Sequence, residues 1–158
     1  MVMSHQKYLQ RAVQLAIKGM RANRGGPFGC LVVKEEEIIG RGVNSVTSTN
    51  DPTAHAEIAA IRDACRHLGS FQLSGCTIYS SCEPCPMCLG AIYWARPEQL
   101  FYAATRQDAA AAGFDDDMIY RELTLNPDER TIPMQRVSIP ETDTLFEEWR
   151  KKEDKLPY

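Results

Sequence analysis

Two short stretches decide how this chain reads: Thr53-Ala54-His55-Ala56-Glu57 and Cys82-Glu83-Pro84-Cys85-Pro86-Met87-Cys88. Each opens a segment of helical character. The first helix is predicted over residues 53–68, with Asp51 or Thr53 as its cap and Gly69 where a helix commonly stops. The second covers residues 86–95, and Pro86 suits a first helical position because its missing N–H is no loss there. Residues 77–79, between the two, read as a short strand. A strand connection of that kind lets both helix starts meet at one edge of a sheet.

Working outward, Leu9, Ala12, Val13, Ala16, Ile17 and Met20 recur at helical spacing until Gly25-Gly26-Pro27 breaks the pattern. Residues 28–33 and 37–43 read as strands of a hairpin across Lys34-Glu35-Glu36. Residues 100–103 form another strand, followed by an alanine-rich helical turn and the acidic loop Asp115-Asp116-Asp117. A short strand over 136–139 and a helix from 141 to about 154 complete the chain. Alternating strands and helices predict an α/β fold, a three-layer α/β/α sandwich with mixed strand directions. With no linker, repeat or low-complexity run, residues 1–158 read as one domain.

Composition narrows the function classes. Hydrophobic residues make up 44% and charged residues 25%, which is globular rather than disordered. Residues 1–10 lack an apolar run after a basic stretch and so do not read as a signal peptide. No stretch approaches the ~18 apolar residues of a membrane span. A reducing, cytoplasmic setting follows, in which the six cysteines read as metal ligands or buried side chains rather than disulfides. The net charge of −3, with no basic block beyond short groups such as Arg150-Lys151-Lys152, argues against a nucleic-acid partner.

The chemistry lies in the two quoted stretches. Pro86 at the first helical position puts Cys85 at the cap and Cys88 one turn on, both near free backbone N–H groups at the positive end of the helix dipole. Two sulfur anions so placed are half of a zinc site. His55 as a third, neutral ligand gives the catalytic type, whose fourth position is left to water of pKa about 7. Glu57, at the same helix tip as His55, is placed to move protons between that water and a substrate. A closed site with Cys82 as fourth ligand would instead be structural zinc in an interaction module, and would leave Glu57 without a task. An iron–sulfur run would need a further cysteine at position 92, where the chain has Ile92. Cys30, Cys65 and Cys76 read as small buried hydrophobes, and His5 as a surface residue.

The pairing of H-x-E with P-C-x-x-C is the signature of zinc deaminases. On these residues the chain resembles the cytidine deaminase superfamily, and almost end to end it is similar to the superfamily's bacterial guanine deaminases. The likeness is carried by Gly25-Gly26-Pro27-Phe28-Gly29, by Asn50-Asp51-Pro52-Thr53-Ala54-His55-Ala56-Glu57, by the run from Ser81 through Trp94-Ala95-Arg96-Pro97, and by Ala112-Gly113-Phe114-Asp115-Asp116. It implies a five-stranded mixed sheet, zinc (Zn2+) on His55, Cys85 and Cys88, and Glu57 as proton shuttle. It further implies that Phe28 stacks on the base, that Asn44 and the Ala56 backbone hydrogen-bond it, and that Trp94 lines the pocket. Asp116, or its neighbour Asp115, would be a second carboxylate near the exocyclic amine. The family's proteins are dimers whose C-terminal segment crosses to the partner, which implies a homodimer here, residues 141–158 exchanged and Tyr158 reaching the neighbouring pocket.

Each of these residues also has a plainer reading. Phe28 and Trp94 fit core packing, Asn44 a turn, residues 115–117 a solvated loop, and Leu156-Pro157-Tyr158 a frayed end. The resemblance implies hydrolytic deamination of guanine, a small-molecule purine base, to xanthine and ammonia. Deamination of adenosine in tRNA is the alternative, because its zinc motifs are closely similar.

Overall fold

The computed structural model describes residues 4–158; residues 1–3, part of the leader reading, lie outside the described residues. Two compact units divide the chain, one ending at Asp116 and one from Asp117 to Tyr158.

The first unit is built on a single sheet of four strands: β1 (Gly29–Lys34), β2 (Glu37–Val43), β3 (Cys76–Cys82) and β4 (Gln99–Ala104), in the order β2-β1-β3-β4. β1 pairs antiparallel with β2 and with β3, and β3 pairs parallel with β4, so the sheet is mixed as expected. The β1–β2 hairpin turns at Glu35 and Glu36, both at positive φ (48° and 68°). Helix α1 (His5–Arg21) covers one face, packing Tyr8 and Ala12 against Leu31, Val33 and Tyr79. His5 is exposed, as expected, yet it has partners. Its Nδ1 lies 2.8 Å from the Tyr79 hydroxyl, and its ring stacks on Phe101. The other face carries α3 (Ala56–Leu68) and α4 (Pro86–Ala95), whose Ala56, Ala60, Ala64, Ile92 and Ala95 pack with Cys30, Val32, Ile39 and Ile78. Between β2 and α3 lies a single helical turn, α2 (Val46–Thr49). After β4 comes α5 (Arg106–Ala111), closed by a capping box between Thr105 and Asp108.

Two expectations are corrected. The sheet has four strands, not five: residues 136–139 join no ladder, and Arg136, Val137, Ser138 and Ile139 are all exposed. That segment has the strand composition but lies between Pro133 and Pro140, and among the described residues it finds no strand edge to pair with. The start of α3 is also later than predicted, because neither Asp51 nor Thr53 caps it. The Asp51 carboxylate instead accepts the Thr53 N–H at 2.8 Å and the Thr53 hydroxyl at 2.7 Å, closing an Asx turn ahead of the helix. These two donors hold the Asp51 carboxyl below its ordinary range. His55 takes the cap position, and Gly69 ends the helix in the left-handed conformation, as predicted.

The second unit consists of α6 (Asp117–Thr124), a 3-10 turn (Pro127–Glu129) and α7 (Glu141–Lys151). Within it Glu122 accepts both the N–H and the hydroxyl of Thr131, at 2.7 and 2.8 Å. No helix among the described residues is long and apolar enough to cross a membrane.

The closest approach between layers is where α3 crosses β2. A Cβ on Gly42 would overlap the Ala56 carbonyl oxygen, and one on Gly40 would lie 2.5 Å from that of Ala60. Both glycines are buried, so the helix backbone lies directly on the strand. Gly42→Ala is therefore expected to destabilise the fold by about 2 kcal/mol or more, since added volume there meets backbone rather than a movable side chain. Urea unfolding of the variant beside the parent checks this; an unchanged midpoint would show that the helix can lift without cost.

Candidate active site

All the chemistry-bearing residues emerge at one end of the sheet. β1 begins there and β2, β3 and β4 end there, so Phe28 precedes β1, Asn44 follows β2, and Cys85 and Cys88 follow β3. The crevice beyond the carboxyl ends of strands is where open α/β sheets generally hold ligands.

Both helix starts place a candidate ligand at the cap position. His55 is the N-cap of α3 (φ −74°, ψ 158°) and Cys85 the N-cap of α4 (φ −66°, ψ 167°), with Pro86 at the first turn and neither side chain spent on capping. Extended backbone at His55 removes the constraint that would put residues two apart on opposite helix faces, so His55 and Glu57 both serve the same end of α3. The His55 Nδ1 lies 3.5 Å from the Cys85 Sγ and 3.4 Å from the Cys88 Sγ. The three donor atoms all fall within 4.8 Å of one another. One imidazole and two sulfurs so converged fit a tetrahedral, thiophilic divalent cation with a fourth corner open.

The charge distribution favours such an ion. The Cys88 thiol donates to the Cys85 sulfur, and His55 adds its own hydrogen bond; together they lower the Cys85 thiol to about 4. Cys88 keeps its proton, held by that same bond and by burial. His55 is raised by its bond to Cys85. The pair thus loses one proton readily and retains the second, which a bound cation would release.

Cys82 takes no part. It is buried at 6% exposure, and its thiol is 3.5 Å from the Thr105 carbonyl oxygen. Burial first, and then the Glu57 charge, push its thiol up to about 11. A closed four-ligand site with Cys82 is therefore not what the geometry offers. Cys30 and Cys76 are buried, Cys65 packs against the core, and all six cysteines are free thiols.

Glu57 is buried at 5% exposure, and its Oε1 accepts the Ser80 hydroxyl at 2.8 Å. Asn44, also buried, accepts the N–H of Gly26 at 3.1 Å and of Val46 at 3.3 Å through its Oδ1. With Oδ1 so occupied, the amide orientation is fixed and Nδ2 is its unspent donor among the described residues. The Gly25-Gly26 stretch wraps this side chain closely: a Cβ on Gly25 would collide with Oδ1. Phe28 packs edge-to-face on Phe114, ring centroids 4.9 Å apart. Ala56, first residue of α3, carries a first-turn N–H with no acceptor inside its helix.

Asp116 is half-buried while Asp115 is exposed. Burial raises the Asp116 carboxyl, with the Cys85 charge adding to it, and Asp116 in turn helps to raise His55, so Asp116 is the acidic-loop carboxylate coupled to the cluster. Trp94 is 63% exposed on α4, and Tyr158 is 70% exposed at the end of the second unit. Ser80 has no place in the sequence analysis, and Ser81 and Phe114 appear there only within the stretches that carry the resemblance, with no role assigned. Ser80 and Ser81 form an unusual pair of buried hydroxyls in a central strand, which was the one available signal.

The description "Cytidine and deoxycytidylate deaminase zinc-binding region" matches residues 2–104. The chain belongs to the cytidine deaminase family. The guanine deaminase of Bacillus subtilis (strain 168) is 55% identical over 99% of this chain and 100% of its own length. The X-ray structure of the guanine deaminase from Bacillus subtilis superposes with a TM-score of 0.97 at 55% identity, covering 99% of each chain. The tRNA-specific adenosine deaminase of Aquifex aeolicus (strain VF5) is 38% identical over 80% of this chain and 81% of its own.

Membership in a zinc-binding deaminase family and the three-donor cluster lead to a direct test of ligation. Cys82→Ala should leave the zinc content per chain unchanged, whereas Cys85→Ala should reduce it to background, both read by elemental analysis of purified protein. Loss of zinc from the Cys82 variant would restore the closed-site reading.

Proposed function

We propose that this protein is a guanine deaminase that hydrolyses the free base to xanthine and ammonia, with zinc held by His55, Cys85 and Cys88. The observation that carries the chemistry is the convergence, among the described residues, of three protein donors near a buried carboxylate, with the Cys82 thiol against the Thr105 carbonyl instead. The full-length likeness to a guanine deaminase, against the shorter and weaker one to a tRNA-specific adenosine deaminase, supports the free base as substrate. The net charge of −3 supports it too, since a polyphosphate partner favours a basic surface.

Zinc, when bound, supplies Lewis acidity and brings the pKa of coordinated water to about 7. The chain's own residues do the rest. Asn44 offers Nδ2 and Ala56 its backbone N–H as donors to the acceptor atoms of the purine, while Phe28, braced by Phe114, stacks on the ring. Glu57 takes a proton from the attacking water and delivers it to the ring nitrogen beside the carbon under attack. Glu57 then takes the remaining hydroxyl proton of the tetrahedral centre and passes it, with Asp116 beside it, to the amine, which leaves as ammonia as the carbonyl of xanthine forms.

A homodimer with an exchanged C-terminal segment fits the surface. Tyr93 and Trp94 of the otherwise apolar α4 are exposed, and the second unit by itself leaves Val137, Leu145, Phe146, Leu156 and Tyr158 exposed. On this reading residues 1–158 act as one deaminase domain whose last segment, 141–158, is shared between subunits, with Trp94 and Tyr158 at the pocket. Six free cysteines favour a reducing cytoplasm.

An ammonia-release screen across free bases, nucleosides and oligonucleotides should show turnover with guanine. Release from a tRNA anticodon loop and none from guanine would reverse the assignment. Glu57→Ala should retain its zinc and lose roughly 10²-fold or more in kcat, the usual range for a positioned acid/base; comparable turnover in that variant rules the shuttle role out.

A further inference from the structure

Glu57 is a carboxylate with almost no access to solvent, and its side chain sits on the first turn of α3 facing the middle of the sheet. Such a group has two oxygens, and which one meets the substrate depends on what holds the other. Oε1 is held by Ser80, at 2.8 Å. Ser80 is 1% exposed, lies in β3 between two neighbours, and is paired with Cys30 on β1 and Tyr102 on β4. Strand interiors favour β-branched and aromatic residues, and a buried hydroxyl there is costly unless bonded, so a serine at this position needs its partner. An ionised carboxylate only accepts, so the Ser80 hydroxyl is the donor.

We propose that Ser80 is a positioning residue, its hydroxyl pinning Oε1 of Glu57 so that Oε2 is the oxygen that carries the proton. This rests on the deaminase reading of Glu57. The strand backbone fixes Ser80 through ladders on both sides, so the carboxylate is oriented by the sheet and not only by its own helix. Without that bond the carboxylate loses its tie to the sheet, and its terminal torsion, which is broad in glutamate, is less restrained. The consequence falls on proton transfer rather than on binding of the base, because the Ser80 hydroxyl donates to Glu57 and not to a group offered to the purine.

Ser80→Ala is expected to lower kcat for guanine by about tenfold, a part of the contribution typical of a positioned acid/base, with KM within about twofold and zinc per chain unchanged. Ser80→Thr and Ser80→Val are nearly equal in shape and differ in the hydroxyl; the threonine variant should recover most of the lost kcat and the valine variant should not. If Ser80→Ala fails to fold, that pair alone decides. Equal kcat in the threonine and valine variants, a rise in KM at constant kcat, or zinc loss in step with activity would each overturn the positioning role. A parent protein inactive on guanine would instead overturn the functional reading on which it rests.

Discussion

Holding two sulfurs one helical turn apart is an electrostatic problem, and the architecture around Cys85 and Cys88 is arranged by it. Negative charge on both would be opposed by their mutual repulsion and by Glu57 and Asp116 nearby. The cap position of α4 offers part of the answer, since the first-turn N–H groups and the helix dipole favour an anion at Cys85. His55 offers another part through its hydrogen bonds to both sulfurs. These are sufficient for one thiolate and not for two. Cys88 keeps its proton through its bond to Cys85 and its burial, and burial with the Cys85 charge adding to it raises the Asp116 carboxyl, so the pocket disfavours further negative charge. A divalent ion held there would supply positive charge to offset the second thiolate.

The ligands reach that point because backbone lies on backbone. The absence of side chains at Gly40 and Gly42 lets α3 lie directly on β2, and this contact sets where the first turn of α3 ends relative to the strand termini. The loop from Asn44 to Ala54 then has to bridge a short fixed distance. It does so with the α2 turn and the Asx turn at Asp51, and the Ser45 N–H donates to the Ala54 carbonyl at 2.9 Å. His55 enters its helix in extended conformation at the end of this bridge. Packing in the middle of the domain and ligand geometry at its edge are in this way one constraint.

Much of this was legible in the sequence because the signals were local. Pro86 after Cys85 marked a helix start to the residue, Gly69 marked a helix end, and the hairpin across Lys34-Glu35-Glu36 followed from the two strand-like segments on either side. What differed depended on which partner each group actually takes, near or far in the chain. Asp51 has the composition of a helix cap, and only the geometry of Thr53 shows that its carboxylate is used one turn earlier. Residues 136–139 have strand-like composition, but pairing is a property of two segments, and composition cannot say whether the second one is present. Ser80 was invisible for the same reason: its importance lies in Glu57, 23 positions away.

The groups offered to a ligand share a feature that bears on how such a site discriminates. Asn44 cannot turn its amide, because Oδ1 is already claimed by two backbone N–H groups. The Ala56 N–H belongs to a helix fixed against the sheet, Phe28 is braced by Phe114, and Glu57 is held to β3 by Ser80 at Oε1. Each was set in place by folding, so little reorganisation is left for the moment of reaction, which is the condition under which fixed dipoles stabilise developing charge most effectively. Donors that cannot rearrange also reject a ligand whose acceptors are elsewhere, because a buried donor left unpaired is costly. A flat base with acceptors at the matching positions is the kind of ligand such a rim accepts, and the rigidity that selects it is the same rigidity that the zinc-binding corner requires.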